Sequence, residues 1–344
     1  MKLANKYFIK TASSVRDAMK AINKNKKQAI IVVDKDMILK GIATDGDIRR
    51  GLLKGGSIQD NIKSVFNPSP ISIPSHIAEK ERRKYEKGFV DIYPLIDNKK
   101  KVVGVHFKNN ITNTSTNCAV IMSGGLGKRL QPITTKIPKA LVEVKGKPIL
   151  ERIIESLVDH GFIKIILAVN YKKEAIKEYF GDGKNFGVEI VYLDEKKRMG
   201  TAGSLSLVNL EQVSGNNLLV MNCDIVTEID YTALMNFHRH NKSLATMCVN
   251  KFNFKIPYGV IRTEKEEIIK IDEKPVVNFN VNAGIYVLNK KVIKKIPNDT
   301  FFDMPSLFHQ LIEDKEAIFA FPIHEKWKDI GQIEDLNSVN SEKT

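Results

Sequence analysis

The sequence contains few cysteines, a single tryptophan and no long run of apolar residues. Its cysteines, Cys118, Cys223 and Cys248, are odd in number and have no CxxC spacing, so neither a disulfide framework nor a zinc site is expected. No apolar run reaches the ~18 residues that a membrane-spanning helix needs. The lysine-rich beginning of the chain also lacks the apolar stretch of a secretory signal. These absences predict a protein of the reducing cytoplasm, with a cytoplasmic localisation and no membrane partner.

What the sequence does contain is typical of folded domains. Its 344 residues are 42% hydrophobic and 27% charged, which excludes global disorder and suffices for two or three domains. The formal net charge is +14, of which residues 1–117 carry +12 and the remainder +2. The basic residues are scattered at predicted turns, without the interleaved aromatic residues of an RNA-binding module. We therefore expect a solvated basic surface and no nucleic-acid partner.

A polar segment, KNNITNTSTN (108–117), divides the chain and has the composition of a connector. We expect an N-terminal module at 1–110, a linker at 111–117 and a larger domain at 118–344. In the module, two units of similar order suggest an internal repeat of about 60 residues. The first has predicted helices at 15–25 and 46–55 and strands at 28–34 and 38–44; the second has a predicted helix around 76–87 and strands at 89–97 and 101–107.

The stretch GIATDGD (41–47) matches the G-x-x-T-x-x-D pattern of CBS domains, and the module resembles a tandem CBS (Bateman) module. The resemblance implies that Thr44 and Asp47 bind the ribose of an adenine nucleotide, a regulatory effector. The second unit has GVHFKNN (104–110) at the equivalent place, without the threonine and the aspartate, so at most one site is expected. The alternative is that Thr44 only caps a helix and Asp47 lies on the surface without a ligand.

From Asn117 onward, predicted strands alternate with predicted helices. This order predicts an α/β fold with a mostly parallel sheet and helices on both faces, and ligands bind such sheets at the carboxyl ends of their strands. The strands are expected at 117–125, 164–171, 188–194 and 217–225, and the helices at 148–162, 173–181 and 201–211.

A glycine-rich turn, SGGLGKRLQP (123–132), follows the first of these strands. Its glycines permit close approach of backbone N–H groups to phosphates. Arg129, and Lys139 a few residues later, can neutralise charge on a polyphosphate. The turn is neither a Walker A motif nor a GxGxxG motif, and by itself it is also compatible with an ordinary strand-to-helix turn.

Together with KIPKAL (136–141), this turn resembles the GGxGxRLxPxT…PKxL signature of sugar-1-phosphate nucleotidyltransferases. The resemblance covers about two thirds of the chain and implies a Rossmann-like mixed sheet, the nucleotidyltransferase fold, after a smaller α+β tandem CBS domain. It also implies catalytic roles for Arg129 and Lys139 and nucleotide binding by a further set: Ser123, Gly124, Gly125, Gly127, Lys128, Gly200, Thr201 and Ala202.

Two acidic motifs continue the resemblance. Asp224 ends the buried strand LLVMNCD, where a carboxylate is placed to bind Mg2+, and Asp329 lies in WKDIG (327–331). The family resemblance, and not the spacing, pairs them as the ligands of a catalytic Mg2+ and as catalytic residues. It also implies a sugar-phosphate subsite formed by Tyr258, Gly259, Glu273, Lys274, Asn282 and Gly284.

These motifs predict an enzyme that transfers a nucleotidyl group from an NTP to a sugar 1-phosphate. CBS repeats before such a domain resemble the guanylyltransferases of bacterial legionaminic acid biosynthesis, which implies GTP and glucosamine 1-phosphate as substrates. Mannose 1-phosphate with GTP, or another pair with UTP, dTTP or CTP, is the alternative. An inactive nucleotide-sensing regulatory subunit is a different class. A homo-oligomer is expected, and a β-helical acyltransferase domain is not, because only 13 residues follow Gly331.

Overall fold

The computed structural model describes residues 5–25, 27–87, 90–108 and 117–341. The chain forms two compact units, Met1–Thr114 and Ser115–Thr344. Apart from Asn117, the predicted linker at 111–117 lies outside the described residues. None of the helices that the structure describes combines the length and the hydrophobicity that a membrane span requires.

The first unit contains two small sheets of three strands each. Its elements are β1 (Phe8–Lys10), α1 (Val15–Asn25), β2 (Ala29–Val33), β3 (Leu39–Thr44), α2 (Asp45–Leu53), β4 (Ile73–Pro74), β5 (Ile92–Ile96) and β6 (Val102–Phe107). The helix predicted around 76–87 is instead a 3₁₀ helix, Glu79–Tyr85, with no buried residue. Without an apolar stripe to pack against a sheet, this charged segment has little to stabilise a longer α-helix.

The two sheets have the same topology. In each, a short strand pairs in parallel with the first strand of an antiparallel hairpin. Ala29 pairs with Thr44 in the first hairpin, and Ile92 with Phe107 in the second, so the same register recurs 63 residues later. This is the internal repeat expected from the sequence.

The second unit is built on a seven-stranded sheet. Its strands are β7 (Asn117–Met122), β8 (Glu143–Val144), β9 (Lys147–Pro148), β10 (Phe162–Val169), β11 (Glu189–Asp194), β12 (Asn217–Asn222), β13 (Ile225–Thr227), β14 (Ala245–Lys255), β15 (Val260–Glu264), β16 (Glu267–Asp272), β17 (Val276–Asn289), β18 (Ile318–Ile323) and β19 (Trp327–Asp329). Its helices are α3 (Ile133–Lys136), α4 (Ile149–Asp159), α5 (Lys173–Phe180), α6 (Gly200–Gly203), α7 (Tyr231–His240), α8 (Lys290–Ile293), α9 (Met304–Glu313) and α10 (Ile333–Ser341).

The sheet order is β11-β10-β7-β12-β17-β14-β18, and β17 is antiparallel to both of its neighbours. Alternate residues of the central strands enter two cores on opposite faces. On β7, Ala119 and Ile121 pack with α4 and α5, whereas Cys118 and Val120 pack with α6, α8 and α9. The predicted α/β fold with a mostly parallel sheet and helices on both faces is confirmed.

One predicted helix is much shorter than expected. The segment 201–211 forms α6 and then a 3₁₀ helix that ends at Leu207. The backbone N–H groups of Ala202 and Gly203 both donate to the carbonyl of Phe302. The Phe302 carbonyl, from a distant part of the chain, thus anchors the start of this short helix.

Candidate active site

The glycine-rich turn begins where β7 ends, as the sequence predicts. Ser123 is buried, and its N–H donates to the carbonyl of Ala168 on the neighbouring strand (2.8 Å). Gly127 has a φ of 63°, and a Cβ at this position would lie 2.7 Å from Thr134 Cγ2. Thr134 in turn donates its hydroxyl proton to the Gly127 carbonyl (2.8 Å). The turn is therefore anchored at Gly127, where only glycine fits, while its first glycines lie at the strand end.

A buried ion pair joins two of the predicted catalytic residues. Lys139 Nζ lies 2.5 Å from Asp224 Oδ2, and their side chains are only 10% and 18% exposed. Lys139 follows the glycine turn, whereas Asp224 follows β12. The central sheet brings the two segments to one edge, because β7 and β12 pair in parallel and end there.

A small two-stranded sheet brings the last acidic residue to the same place. Asp329 on β19 stands opposite Ile225 on β13, the residue directly after Asp224. The N–H of Ile330 donates to the Asp224 carbonyl (2.8 Å). Two carboxylates from distant parts of the sequence thus become neighbours through β13 and β19.

The charges at this edge act on one another. Burial, followed by the charge of Asp224, raises the pKa of Asp329, and the cations Lys139 and Arg129 oppose that rise. The Arg129 guanidinium also lies against Gly331, since a Cβ there would be 3.3 Å from Arg129 Nη1. The structure therefore brings all four predicted catalytic side chains together.

The two carboxylates have the chemistry of a magnesium site. Among the described residues, no cluster of three or more His, Cys, Asp or Glu side chains could hold a metal ion. Mg2+ does not require one, because it is commonly bound by one or two carboxylates, substrate phosphates and waters. Asp224 and Asp329 fit that donor set, because both supply carboxylate oxygens where β13 and β19 pair.

A pocket of about 120 Å³ opens beside this pair and contains two of the predicted sugar-binding residues, Asn282 and Gly284. Gly284 has a φ of 70°, and a Cβ there would lie 2.8 Å from Asn222 Nδ2. Trp327 lines the pocket and donates its Nε1–H to the carbonyl of Ala283 (2.9 Å). A larger cavity, of about 490 Å³ beside α4, contains none of the four charged residues, so chemistry and not size identifies the site.

The segment of Gly200, Thr201 and Ala202 is tied to the start of α9. Thr201 receives a hydrogen bond on its hydroxyl from the N–H of Met304 (2.9 Å), and the Thr201 N–H donates to Asp303 Oδ1 (3.1 Å). Asp303 was not singled out from the sequence, because nothing local shows that a helix start so far away holds this loop. The nucleotide-binding role of the loop stays a prediction.

Glu195 is a second residue that the sequence reasoning missed. It directly follows β11 at the same edge of the sheet, and a Cβ on Gly124 would lie 3.3 Å from Glu195 Oε1. Partial burial raises the pKa of the Glu195 carboxyl, and hydrogen bonds from the Met199 backbone and the Ser204 side chain oppose that rise. The signal that found Asp224, an acidic residue directly after a predicted strand, was also present in VEIVYLDE (188–195).

The other four predicted sugar-binding residues lie elsewhere. The hydrogen bond from the Ile256 N–H to the Pro275 carbonyl ends the pairing of β14 with β17, and β15 and β16 form a hairpin beyond it. Tyr258 and Gly259, together with Glu273 and Lys274, occupy the two strand interruptions between these pairs. They do not line the pocket beside Asp224, and their role toward a sugar phosphate stays a prediction.

In the first unit, Thr44 and Asp47 hydrogen-bond to each other. Thr44 caps α2, accepting from the Asp47 N–H (3.0 Å), and its own N–H donates to Asp47 Oδ2 (3.0 Å). Its hydroxyl also donates to the same carboxylate (2.7 Å), and Arg50 pairs with Asp47. The helix cap weighed as the alternative is present, and the adenine-nucleotide site stays a prediction.

Known sequences resemble both parts of the chain. A family described as nucleotidyl transferase matches residues 118–344, and the CBS domain family matches residues 5–54. The mannose-1-phosphate guanylyltransferase catalytic subunit beta of Drosophila pseudoobscura pseudoobscura is 35% identical over 63% of this chain and 60% of its own length. The UTP–glucose-1-phosphate uridylyltransferase of a Synechocystis strain is 32% identical over 63% of this chain and 61% of its own length. The chain thus spans about three fifths of these relatives.

Solved structures agree with this assignment. HddC from Yersinia pseudotuberculosis superimposes with a TM-score of 0.52 at 27% identity, covering 65% of this chain and 98% of that protein. The same protein complexed with GMP-PN matches with the same score at 26% identity and covers the same shares. With its family signature, its sheet and its convergent charged residues in agreement, the chain belongs to the nucleotidyl transferase family, with a CBS domain in its N-terminal unit.

Proposed function

We propose that this chain transfers a nucleoside monophosphate from an NTP to a sugar 1-phosphate and releases pyrophosphate. The observation that carries the proposal is the convergence of Arg129, Lys139, Asp224 and Asp329 beside the glycine-rich turn. Two cations and two carboxylates at the carboxyl ends of parallel strands suit a polyphosphate and its magnesium ion.

The reaction does not require a general base. A sugar phosphate is largely ionised near pH 7, since the second pKa of such a monoester is about 6. One of its oxygens forms a bond to the α-phosphorus while the bond from that phosphorus to pyrophosphate breaks. Arg129 and Lys139 stabilise the negative charge that develops, and the Lys139–Asp224 pair orients the ammonium group. Asp224 and Asp329 would hold Mg2+, which supplies further charge neutralisation.

We further propose GTP as the nucleotide. Guanine presents two neighbouring donors, its N1–H and its exocyclic amino group, and a carboxylate can accept from both. Glu195 offers such a carboxylate next to Gly124, at the edge where the nucleotide would enter. Uracil and thymine offer only one donor on that side, so they would make one hydrogen bond fewer to this carboxylate. The guanylyltransferase names of several relatives and the GMP-PN complex of HddC support the same choice.

For the sugar 1-phosphate, we propose two candidate substrates. Glucosamine 1-phosphate is proposed first, on the combination of a CBS domain with this transferase domain. Mannose 1-phosphate is the second, because several guanylyltransferases that are similar to the chain are named for it. Closure of the segment with Glu273 and Lys274 over the pocket would be needed for those two side chains to meet either sugar.

At the N-terminal unit we propose that an adenine nucleotide binds near Thr44 and Asp47 and regulates the transferase. The ribose hydroxyls would replace the bond that the Thr44 hydroxyl now makes with the Asp47 carboxylate. The second repeat has His106 and Phe107 near the equivalent place and lacks such a pair, so one nucleotide per chain is expected.

One assay tests the proposal. The full chain is incubated with Mg2+, each NTP in turn and a panel of sugar 1-phosphates, and pyrophosphate release is measured. We expect release with GTP and with glucosamine or mannose 1-phosphate. Fast turnover with UTP or dTTP would refute the assignment of the base. No release with any pair, while nucleotide still binds, would favour the inactive regulatory subunit.

A further inference from the structure

The loop after β11 that contains Gly200 is held in place by a distant segment of the chain. We call residues 199–204 the Gly200 loop and residues 299–303 the clasp. Besides accepting two hydrogen bonds from the loop on its carbonyl, Phe302 donates its N–H to the carbonyl of Met199 (2.9 Å). Gly200 has a φ of 80°, and a Cβ there would lie 2.6 Å from the Phe302 carbonyl oxygen. The backbones of the loop and the clasp are therefore in direct contact.

The side chain of Asp303 completes this attachment. Asp303 is the N-cap residue of α9, yet its carboxylate makes no capping hydrogen bond to that helix. An N-cap aspartate ordinarily accepts from the backbone N–H two or three residues later. The first of these positions is Pro305, which has no N–H. The carboxylate accepts instead from the Thr201 N–H (3.1 Å), and the Thr201 hydroxyl accepts from the N–H of Met304 (2.9 Å). Each segment thus satisfies a backbone donor of the other.

The exposed contacts of the clasp add little to this attachment. Lys197 Nζ lies 3.1 Å from Asp299 Oδ2, with both side chains more than half exposed, and Arg198 lies over the ring of Phe301 (5.9 Å). Water screens charges at such exposure, so these contacts contribute little. We therefore assign the orientation of the loop to its backbone contacts and to the partly buried hydrogen bond that Asp303 accepts.

The Gly200 loop in turn holds the side chain of Glu195. The backbone of Glu195 is fixed by the neighbouring strand end, since its N–H donates to the Val169 carbonyl (3.0 Å) and its carbonyl accepts from Asn170 Nδ2 (3.1 Å). Its carboxylate accepts hydrogen bonds from the Met199 backbone and the Ser204 side chain, and both of these residues are buried. These donors favour the ionised carboxylate, which only accepts hydrogen bonds and therefore suits the donors of guanine.

We propose that Asp303 is a positioning residue for recognition of the nucleotide base: it fixes the Gly200 loop, and the loop aims the Glu195 carboxylate at guanine. The inference rests on the proposed choice of GTP and extends it to a residue that acts through the loop. Without the Asp303 carboxylate, the Thr201 N–H loses its acceptor, and the donors to Glu195 lose their fixed position. Binding of guanine suffers more than binding of uracil, because two guanine donors depend on the orientation of one carboxylate.

Steady-state kinetics of the full chain with Mg2+ and the proposed sugar phosphates test this role. For Asp303→Ala, kcat/KM for GTP should fall by about 10-fold relative to that for UTP, mainly through a higher KM. Asp303→Asn keeps an oxygen that can accept from the Thr201 N–H, so this variant should retain most of the preference for GTP. The matched control is Asp314→Ala at the opposite end of α9, where Asp314 pairs with Lys295 (2.8 Å).

A double variant separates positioning of Glu195 from a general loss of structure. In the Glu195→Gln background the carboxylate is already replaced, so adding Asp303→Ala should change the preference for GTP by less than about 2-fold. Additive losses in the double variant would mean that Asp303 acts independently of Glu195, and they overturn the proposal. An equal loss for GTP and UTP, or a loss that Asp303→Asn does not rescue, also overturns it.

Failure of the proposed function is recognised separately. A preference for UTP in the unmodified protein refutes the choice of base, and with it this inference. If the unmodified protein releases no pyrophosphate, calorimetric titration with GTP decides: weaker binding by Asp303→Ala supports the positioning role, and equal affinity overturns it. Thermal unfolding followed by circular dichroism checks that each variant is folded. Should Asp303→Ala not fold, Ser204→Ala replaces it, because it removes a donor to Glu195 and leaves the clasp intact. An unchanged preference for GTP in that variant overturns the proposal.

Discussion

Two sites in this chain were predicted from short family motifs, and they are built in opposite ways. In the first unit, Thr44 and Asp47 are three residues apart and satisfy each other within one helical turn. In the second unit, Lys139, Asp224 and Asp329 come from distant segments and meet at a partly buried edge. A polar pair that completes its own hydrogen bonds is stable without a ligand. Two neighbouring carboxylates under partial burial gain from a bound cation.

We expect the largest effect from a substitution at the centre of the second site. Asp224→Asn should lower kcat by at least about 10²-fold, because it removes one charge from the metal pair. It also loosens Lys139, whose partner would then be neutral. The control is Asp194→Asn, since Asp194 ends β11 at the same edge of the sheet and pairs with Lys173 and Lys177. Pyrophosphate release at saturating Mg2+ is the measurement, and near-normal turnover of Asp224→Asn would contradict the metal assignment.

We expect the second-largest effect from removal of the two cationic side chains. Arg129→Ala and Lys139→Ala should each slow the reaction roughly 10²-fold, or about 2.7 kcal/mol of transition-state stabilisation. Lys136→Ala is the control, because Lys136 is exposed in the same segment. A higher KM for the NTP with an unchanged kcat would instead mean that the two cations only bind the ground state.

We expect a smaller effect from a substitution that tests which nucleotide base the enzyme prefers. Glu195→Gln keeps one acceptor oxygen but replaces the other with a donor that faces guanine donors. We expect kcat/KM for GTP to fall by about 10-fold or more relative to UTP. The measurement is that ratio, with Asp194→Asn as the neighbouring control. An equal loss for both nucleotides would argue that Glu195 supports the glycine turn and does not read the base.

The smallest effect concerns the first site. Thr44→Ala should lower the stability of the N-terminal unit by about 1 kcal/mol, since it removes the cap of α2. Basal transferase activity should stay unchanged. Calorimetry with AMP, ADP and ATP then tests the proposed effector. One site per chain that is lost in Asp47→Ala supports it, whereas the absence of binding in the unmodified protein leaves Thr44 and Asp47 as a helix cap only.

Local patterns in the sequence determined most elements and their type. The apolar runs of β2, β7 and β12 are typical of buried strands, and the structure buries them. The glycine turn and the acidic strand end also appear where the signature predicts them. Periodicity and turn chemistry act over a few residues, so the sequence alone contains this information.

Tertiary structure alone decided which groups meet. The sheet order aligns the ends of β7 and β12, and the pairing of β13 with β19 brings Asp329 to Asp224. The end of β11 likewise places Glu195 beside Gly124. It also ties the start of the helix after Gly200 to the distant Phe302, whose carbonyl accepts from Ala202 and Gly203. Long-range pairing sets each of these outcomes, and no pattern within a short stretch of sequence specifies which distant segment becomes the partner.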